Sequence, residues 1–141
     1  MGHLGEEAYL NILRTADVLS NEVAAVLKPA GLTLTQYNVL RILRGAHPEG
    51  LTCSQMSERL ISRDPDVTRL IDRLEDRGLL THRRHDADRR VVVVSIADEG
   101  LRILKDLDDP VRTLHRRQLG RMGAEELQRL IALLEMARDT A

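Results

Sequence analysis

The stretch PDVTRLIDRLEDRGLL, residues 65–80, contains the start, the body and the end of one predicted helix. Asp64 suits the N-cap position, Pro65 the first helical position, and Gly78 the position just beyond a helix. The apolar residues between them recur at helical spacing: Val67, Leu70, Ile71 and Leu74. The sequence therefore predicts a helix over 65–77 with one packed face and one face in solvent.

The outer face of this helix alternates acids and arginines, which leaves two interpretations open. Asp72 and Asp76 stand three residues beyond Arg69 and Arg73, a spacing typical of an exposed helix with ion pairs. The same face suits the major groove of DNA, where arginine pairs with guanine and aspartate accepts from cytosine. In the second interpretation the candidate DNA contacts of this segment are Arg63, Asp66, Thr68, Arg69 and Arg73.

A β-hairpin is predicted next, and its tip carries the densest cationic cluster of the chain. The strands cover 80–84 and 90–96 around a polar turn at 85–89, and Val92, Val94 and Ile96 alternate toward one face. The arginines near the tip are Arg83, Arg84, Arg89 and Arg90. Arginines on such a ribbon can enter the minor groove, where the potential is most negative. The alternative is a solvated hairpin whose aspartates neutralise the arginines.

Two shorter helices are predicted upstream, and together with the hairpin they complete a winged helix-turn-helix. Thr33 or Thr35 can cap a helix over 35–45, and Thr52 can cap a third helix over 53–60. The order of elements across 33–97 is helix, helix, turn, helix, hairpin. The sequence thus predicts a mainly α fold with a winged helix-turn-helix lobe at 33–97, whose second helix meets the major groove of double-stranded DNA.

Long amphipathic helices are predicted on both sides of this lobe. The first, 6–28, should end before Pro29; the others cover 98–118, with a kink or break at Pro110, and 124–139. Their apolar faces exceed what one small core can cover, so we expect a second copy of the chain to pair with them. The chain is predicted to be one domain, 1–141, with dimerisation helices at 6–30 and 98–141.

Composition limits the possible functions. The net charge of the 141 residues is −1, and only the segment 41–90 is cationic, with eleven arginines against nine acids. The arrangement of charge, rather than its total, therefore points to nucleic acid. No apolar run reaches the length of a membrane span and no secretory signal is visible, so we expect a cytoplasmic protein that does not enter the membrane. Nucleophile elbows, phosphate loops and paired catalytic carboxylates are absent from the sequence, so no enzyme is expected.

Four runs of residues resemble the MarR family of bacterial transcriptional regulators: LTLTQYNVLRIL (32–43), LTCSQMSERL (51–60), DVTRLIDRLEDRGLL (66–80) and DADRRVVVVSIADEG (86–100). The resemblance extends over nearly the whole chain. It implies a homodimer joined by the first helix and the last two helices, and a repressor that binds a pseudo-palindromic operator. It also implies that Asp88 and Arg90 act as a unit, in which the aspartate orients the arginine for the minor groove. The chain departs from the family at Asp64, Asp66 and Ala97, and Asp98 is expected to replace the usual threonine cap.

The resemblance further implies a small phenolic or anionic effector. The candidate ligand residues are few, and they are Tyr9, Arg14 and Tyr37, with His3 nearby in sequence. No cofactor or metal is expected, because His82 and His85 lack partners at metal-ligand spacing. Cys53 shares an apolar stripe with Met56 and Leu60, which favours packing over redox sensing. The alternatives are a winged-helix module that binds protein, and a redox- or metal-sensing regulator of the same fold.

Overall fold

The computed structural model describes residues 2–61 and 66–139, which form six α-helices around a three-stranded sheet. The helices are α1 (Gly2–Leu27), α2 (Leu34–Gly45), α3 (Cys53–Glu58), α4 (Val67–Asp76), α5 (Asp98–Leu119) and α6 (Gly123–Arg138). The strands are β1 (Leu51–Thr52), β2 (Leu80–Arg84) and β3 (Val92–Ile96). Short 3-10 turns, Lys28–Ala30 and Gly120–Met122, follow α1 and α5. The predicted winged helix-turn-helix with flanking helices is confirmed.

Capping boxes begin α2 and α3. The Thr33 hydroxyl accepts a hydrogen bond from the Gln36 backbone N–H at 3.1 Å, and the Thr33 N–H donates to Gln36 Oε1 at 3.0 Å. Thr52 and Gln55 repeat this arrangement at 3.1 and 3.0 Å. Each box satisfies N–H groups that the first helical turn leaves without partners. The threonine caps predicted from the sequence are confirmed, with Thr33 rather than Thr35 at the start of α2.

An aliphatic core lies beneath α4, between α2, α5 and the sheet. The predicted apolar face of α4 packs here, with Val67, Ile71 and Leu74 buried and Leu70 partly buried. The other fully buried side chains among the described residues are all aliphatic or methionine: Leu27, Val39, Leu40, Leu43, Met56, Leu79, Leu80, Val94 and Leu104. The C-terminal part of α1 closes this core through Val23 and Leu27. The lobe that carries α4 and the hairpin therefore shares one continuous core with α1 and α5.

The sheet contains a strand that the sequence does not predict. Strand β1 pairs antiparallel with β3, with Leu51 opposite Val94 and Thr52 opposite Val93, and gives the order β1-β3-β2. The alternation predicted from the sequence would bury Val94 and Ile96 on one face of β3 and leave Val93 exposed on the other face. Val93 is nevertheless buried. The backbone at Gly50 passes so close that an added Cβ would lie 3.0 Å from Val93 Cγ1, so this face of β3 is covered as well.

Helix α5 corrects two predictions. It continues through Pro110 from Asp98 to Leu119, so the predicted break is wrong. Pro110 is exposed, and water can therefore hydrate the carbonyl that a proline leaves without its helical partner. Ala97 occupies the N-cap position without a side-chain cap bond, and Asp98 lies in the first turn. Asp98 therefore does not replace the cap; its carboxylate lies at the positive end of the helix dipole.

The terminal helices leave much of their apolar surface uncovered. Val23 and Leu27 are the buried residues of α1, and no described residue of α6 is buried. The exposed apolar side chains include Leu4, Leu10, Ile12, Leu13 and Val18 on α1 and Ile131, Leu133 and Met136 on α6. Within the described ranges, 2–61 and 66–139, none of the helices combines the length and the apolar character needed to cross a membrane.

Candidate nucleic-acid interface

The hairpin of β2 and β3 ends in a turn closed by its own backbone. The strands are in register from Leu80 opposite Ile96 to Arg84 opposite Val92. Beyond them, the His85 N–H donates to the Val91 carbonyl at 2.8 Å, and the Val91 N–H donates to the Asp88 carbonyl at 3.0 Å. The predicted hairpin is confirmed, with a tip that extends over 85–91 because Arg90 and Val91 belong to the turn rather than to β3.

Asp88 and Arg90 form a bidentate pair on this tip. Asp88 Oδ1 accepts from both the backbone N–H and Nε of Arg90, at 3.0 and 3.1 Å, and Oδ2 accepts from Nη2 at 3.3 Å. These hydrogen bonds hold the pKa of the Asp88 carboxyl below its ordinary value. The Arg90 side chain is 92% exposed. An ionised acid thus fixes the direction of a guanidinium that stands almost wholly in solvent.

The remaining arginines of the tip have different environments. Arg84 Nη1 donates to the Arg89 carbonyl at 2.8 Å, which ties the end of β2 to the turn. Arg83 and Arg84 are adjacent in a strand, so their side chains point to opposite faces of the hairpin. Within the described residues, the Arg89 side chain and the Asp86 carboxylate make no hydrogen bond or ion pair. The aspartates therefore do not neutralise the cluster as a whole.

The outer face of α4 differs along its length. Asp66, Thr68, Arg69 and Arg73, in its N-terminal part, are all exposed. In the part of the chain that the structure describes, no ion pair joins Arg69 or Arg73 to the aspartates three residues further on. The ion-paired helix suggested by the spacing is therefore not what forms. Arg63 lies outside the described residues, as do Asp64 and Pro65.

The C-terminal part of α4 contacts neighbouring elements through charged side chains. Glu75 pairs with His82 Nδ1 on β2, which links the helix to the hairpin. Arg77 donates from Nη1 to the Gly31 carbonyl at 2.8 Å and from Nη2 to the Ala30 carbonyl at 3.1 Å. Arg77 stands four residues beyond Arg73, so helical spacing alone would place it on the same outer face as Arg69 and Arg73. No residue close to Arg77 in the sequence predicts its different role, because its hydrogen-bond partners lie in the turn after α1.

The predicted ligand residues do not come together. Tyr37 is buried and lines a cavity of about 410 Å³ between α1, α2 and α5. Arg14 lines a separate groove of about 380 Å³ between α1 and α6, and Tyr9 is exposed outside both. The sequence did not predict the other polar residues that line the Tyr37 cavity, which are Ser20, Thr35, Asn38, Arg41 and His115. The spacing of four residues between Tyr37 and Arg41 on one helix is the signal that could have found Arg41.

The Tyr37 cavity combines an apolar wall with cationic groups. The Arg41 guanidinium carbon lies 5.6 Å from the centroid of the Tyr37 ring, within the range of a cation–π contact. Burial raises the pKa of the Tyr37 hydroxyl, so it stays neutral at physiological pH. A neighbouring groove, about 290 Å³, shares Tyr37, Arg41 and His115 and adds Arg44, Asp108, Val111 and Arg112.

Cys53 packs half-buried against the core, and burial raises the pKa of its thiol. Because the thiolate is the reactive form, this environment suits packing better than oxidation. Over the described ranges, no three His, Cys, Asp or Glu side chains are grouped so that they could hold a metal ion.

Comparison with known proteins assigns the family. Residues 32–92, which include α2, α3, α4 and most of the hairpin, match the MarR family. A MarR transcription factor from Planctomyces limnophilus is 48% identical, with 94% of this chain and 96% of that chain covered and a TM-score of 0.73. The chain belongs to the MarR family. The resemblance predicted from four runs of residues is thus confirmed, and this MarR-family protein is a transcriptional regulator.

Two further structures share the fold of this MarR-family chain. A mutant of MarR from E. coli complexed with operator DNA is 22% identical, with 98% of each chain covered and a TM-score of 0.87. CouR from Rhodococcus jostii RHA1, bound to p-coumaroyl-CoA, is 24% identical, with 98% of this chain and 96% of that chain covered and a TM-score of 0.81. At these identities the likeness concerns the fold alone.

Proposed function

We propose that the chain is a homodimeric repressor that binds a pseudo-palindromic operator in double-stranded DNA, with α4 in the major groove and the hairpin tip in the minor groove. The observation that carries this proposal is the Asp88–Arg90 pair. A guanidinium that is 92% exposed yet held at two nitrogens by one acid is oriented before it meets a partner. Such an arginine is suited to the narrow, electronegative minor groove.

The outer face of α4 supports the same proposal. Thr68 and Arg69 lie near the N-terminus of the helix, the part that meets base edges in helix-turn-helix proteins. Arg73 follows one turn later, and both arginines are exposed. We assign Arg69 to a guanine edge, Asp66 and Thr68 to neighbouring base edges, and Arg73, together with Arg63, to phosphates. Arg84 and Arg89 contact phosphates on either side of the hairpin tip in this arrangement.

The uncovered helices supply the dimer surface. Several apolar side chains of α1 and α6 are exposed in the single chain, and α6 has no buried residue among those described. Pairing of two copies through these helices removes that surface from water. It also presents two α4 helices for half-sites roughly 34–36 Å apart, one turn of the duplex.

An effector of the phenolic or anionic class fits the Tyr37 cavity. Its apolar body can lie against Leu19 and Val23 of α1, and its charged group can reach Arg41 and His115. The cavity lies where α1 and α5 meet the helices of the DNA-binding lobe. A ligand there can therefore change the position of α4 relative to the dimer helices and release the operator. CouR, which shares the fold, binds p-coumaroyl-CoA.

Selection of duplexes from a randomised library, followed by mobility-shift titration, tests DNA binding and the role of the hairpin. Arg90→Ala should lower the affinity for the selected duplex by at least roughly tenfold. Arg102→Ala is the matched control, because Arg102 is also an exposed arginine paired with an acid but lies on α5. Equal affinities for wild type and Arg90→Ala would remove the hairpin from the interface. A wild-type protein that selects no duplex at low salt would refute the function itself.

The proposed contact of Arg69 with a guanine edge predicts a change in base preference and not only a loss of affinity. Arg69→Ala should relax the base preference at one position of each half-site, because a bidentate contact to guanine discriminates by about 1–3 kcal/mol. Comparing duplexes selected by the variant and by wild type measures this effect. An unchanged preference would exclude Arg69 as a reader.

The effector proposal is tested by calorimetric titration with hydroxybenzoates and hydroxycinnamates. Arg41→Gln should abolish the binding that wild type shows and the release of DNA that accompanies it. Arg14→Gln, in the groove between α1 and α6, is the control and should bind as wild type does. Absence of binding across the series would exclude the phenolic class.

A further inference from the structure

One side chain connects the end of α4 to the turn that follows α1. The two Arg77 hydrogen bonds, of 2.8 and 3.1 Å, reach carbonyl oxygens that stand 46 and 47 residues away in the sequence. Both carbonyls lie at the C-terminal end of the 3-10 turn, where a helix leaves its last acceptors unsatisfied and its dipole is negative. The planar guanidinium presents parallel donors, so it can satisfy two adjacent acceptors at once.

The accepting turn is anchored in the core. Gly31 adopts a φ of 71°, a left-handed conformation that L side chains rarely adopt, and its N–H donates to the Lys28 carbonyl at 2.9 Å. The buried side chains of Leu27 and Leu32 flank the turn on either side. The two carbonyl oxygens therefore point in a fixed direction. An added Cβ at Gly31 would lie 3.4 Å from Arg77 Nη2, so the guanidinium packs directly on this turn.

The donating end is equally constrained. Arg77 is the C-cap residue of α4, and the Gly78 N–H that follows it donates to the Glu75 carbonyl at 2.8 Å. The Leu79 N–H donates a hydrogen bond to the Leu74 carbonyl at 3.0 Å, and both leucine side chains are buried. The backbone of Arg77 is thus fixed by the helix end, and its side chain spans the gap between two rigid segments.

The three arginines of α4 stand at equal spacing but have unequal surroundings. All three are exposed, but Arg69 and Arg73 make, within the described residues, no hydrogen bond or ion pair. Arg77 has two of its donors engaged by main-chain acceptors. A guanidinium held in this way is directed away from a ligand and toward the chain itself. Its task differs from that of the two arginines before it.

We propose that Arg77 is a positioning residue for operator binding, which holds the recognition helix against the end of α1 and thereby sets the distance between the two α4 helices of the dimer. This inference rests on the proposed function, because it takes α1 as a dimerisation helix and α4 as the DNA reader. Loss of the two hydrogen bonds should let α4 move relative to α1 without removing any group that touches DNA.

Operators with altered half-site spacing test this role. A duplex selected by wild type is shortened or lengthened by one and two base pairs at its centre, and each version is titrated. Wild type should lose affinity steeply with each change, because its two helices are held about one turn of duplex apart. Arg77→Gln should reduce several-fold the loss of affinity that each change of spacing causes. Arg77→Lys should do the same, because an ammonium is a point charge without the paired donors of a guanidinium.

The control is Arg73→Gln, which removes the same charge one helical turn earlier. It should weaken binding equally at every spacing and reduce the slope of log affinity against log salt by about 1. The Arg77 variants should keep the wild-type salt slope. Rescue of the spacing profile by Arg77→Lys would mean that charge alone matters and would overturn the proposal.

Amide hydrogen exchange in the DNA-free protein gives a second, independent measurement. Arg77→Gln should speed exchange in the turn at 28–32, whereas Arg73→Gln should leave it unchanged. Suppose that wild type selects duplexes and that the Arg77 variants keep both its spacing profile and its exchange rates. This result would overturn the positioning role of Arg77 and leave the proposed function intact. A wild type that selects no duplex refutes the proposed function, and with it any operator role for Arg77.

Discussion

The central lobe, residues 33–97, and the terminal helices are built from the same aliphatic residues but differ in how far those residues are covered. Leu40, Leu43 and Leu74 of the lobe are fully shielded from solvent. Ile131 and Leu133 of α6 are 55% and 54% exposed. Hydrophobicity alone therefore does not place a residue in the core. The lobe has helices and a sheet that meet face to face, whereas Ile131 and Leu133 lie on faces of α6 that the described part of the chain leaves largely uncovered.

The two regions are joined by a few polar contacts in addition to the core. Arg44 of α2 forms a bidentate pair with Asp108 of α5, at 3.0 and 3.1 Å. Arg77 connects α4 to the turn after α1 in the same manner. The bidentate pair of Arg44 and Asp108 adds geometric specificity to the apolar packing between α2 and α5. The position of the winged helix-turn-helix lobe relative to the terminal helices is therefore set by the shared core together with these individual side chains.

The largest expected effect separates a covered leucine from an uncovered one. Leu40→Ala should lower the free energy of unfolding by about 2–5 kcal/mol, because it removes a fully buried side chain and leaves a cavity. Leu133→Ala makes the same chemical change on α6. If the proposed dimer covers Leu133, the effect of this substitution should depend on protein concentration, because the stability of a dimer does. Urea unfolding curves, recorded at two protein concentrations that differ at least tenfold, measure the effect of each substitution.

Equal, concentration-independent losses for the two leucine variants would contradict this comparison. They would mean that α6 is stabilised within its own chain rather than by a partner.

The next effect concerns association rather than folding. Ile131→Glu places a charge within the exposed apolar stripe of α6 and should weaken the dimer by roughly a hundredfold, which corresponds to about 2.7 kcal/mol. The isolated chain should keep its helical content, because Ile131 is already in solvent there. Sedimentation measures the association. Gln128→Glu, an exposed polar position of the same helix, is the control and should leave the dimer intact.

A smaller effect is expected at the joint between the two regions. Asp108→Asn removes the charge that Arg44 meets, at a site where both side chains are about one-third exposed. The free energy of unfolding should fall by about 1 kcal/mol, after allowance for solvent screening. Asp109→Asn is the neighbouring control: its carboxylate pairs with Arg112 at 2.9 Å but is 90% exposed, so little change is expected. Thermal unfolding that ranks the two variants equally would exclude a structural role for the Arg44 pair.

Local signals in the sequence predicted the lobe well. The threonine caps at 33 and 52, the glycine at 78 and the alternating valines of β3 each act within a few residues of their own position. Such signals can be recognised in the sequence without knowledge of the fold. They were sufficient for the helix order, the hairpin and the family.

Features that depend on distant contacts were missed or mistaken. Strand β1 has only two residues, too few for a periodic pattern, and forms because β3 lies beside it. Pro110 remains inside a helix because burial of Leu107 and Val111 holds α5 together around it. Arg77 and His115 owe their roles to elements far away in the sequence. No spacing within the chain could have revealed these partners.

The smallest expected effect is at the hairpin tip, where structure depends on exposed polar contacts rather than on a core. Hydrogen bonds from Arg90 lower the pKa of Asp88 in the folded protein. The pair is therefore complete above the ordinary aspartate pKa and is lost as pH falls through the lower, folded value. Arg90→Gln should return the Asp88 pKa toward its ordinary value, while stability at neutral pH changes little because the Arg90 side chain is 92% exposed. Carboxyl carbon NMR of both proteins measures this, and identical Asp88 titrations would mean that the two side chains are not paired in solution.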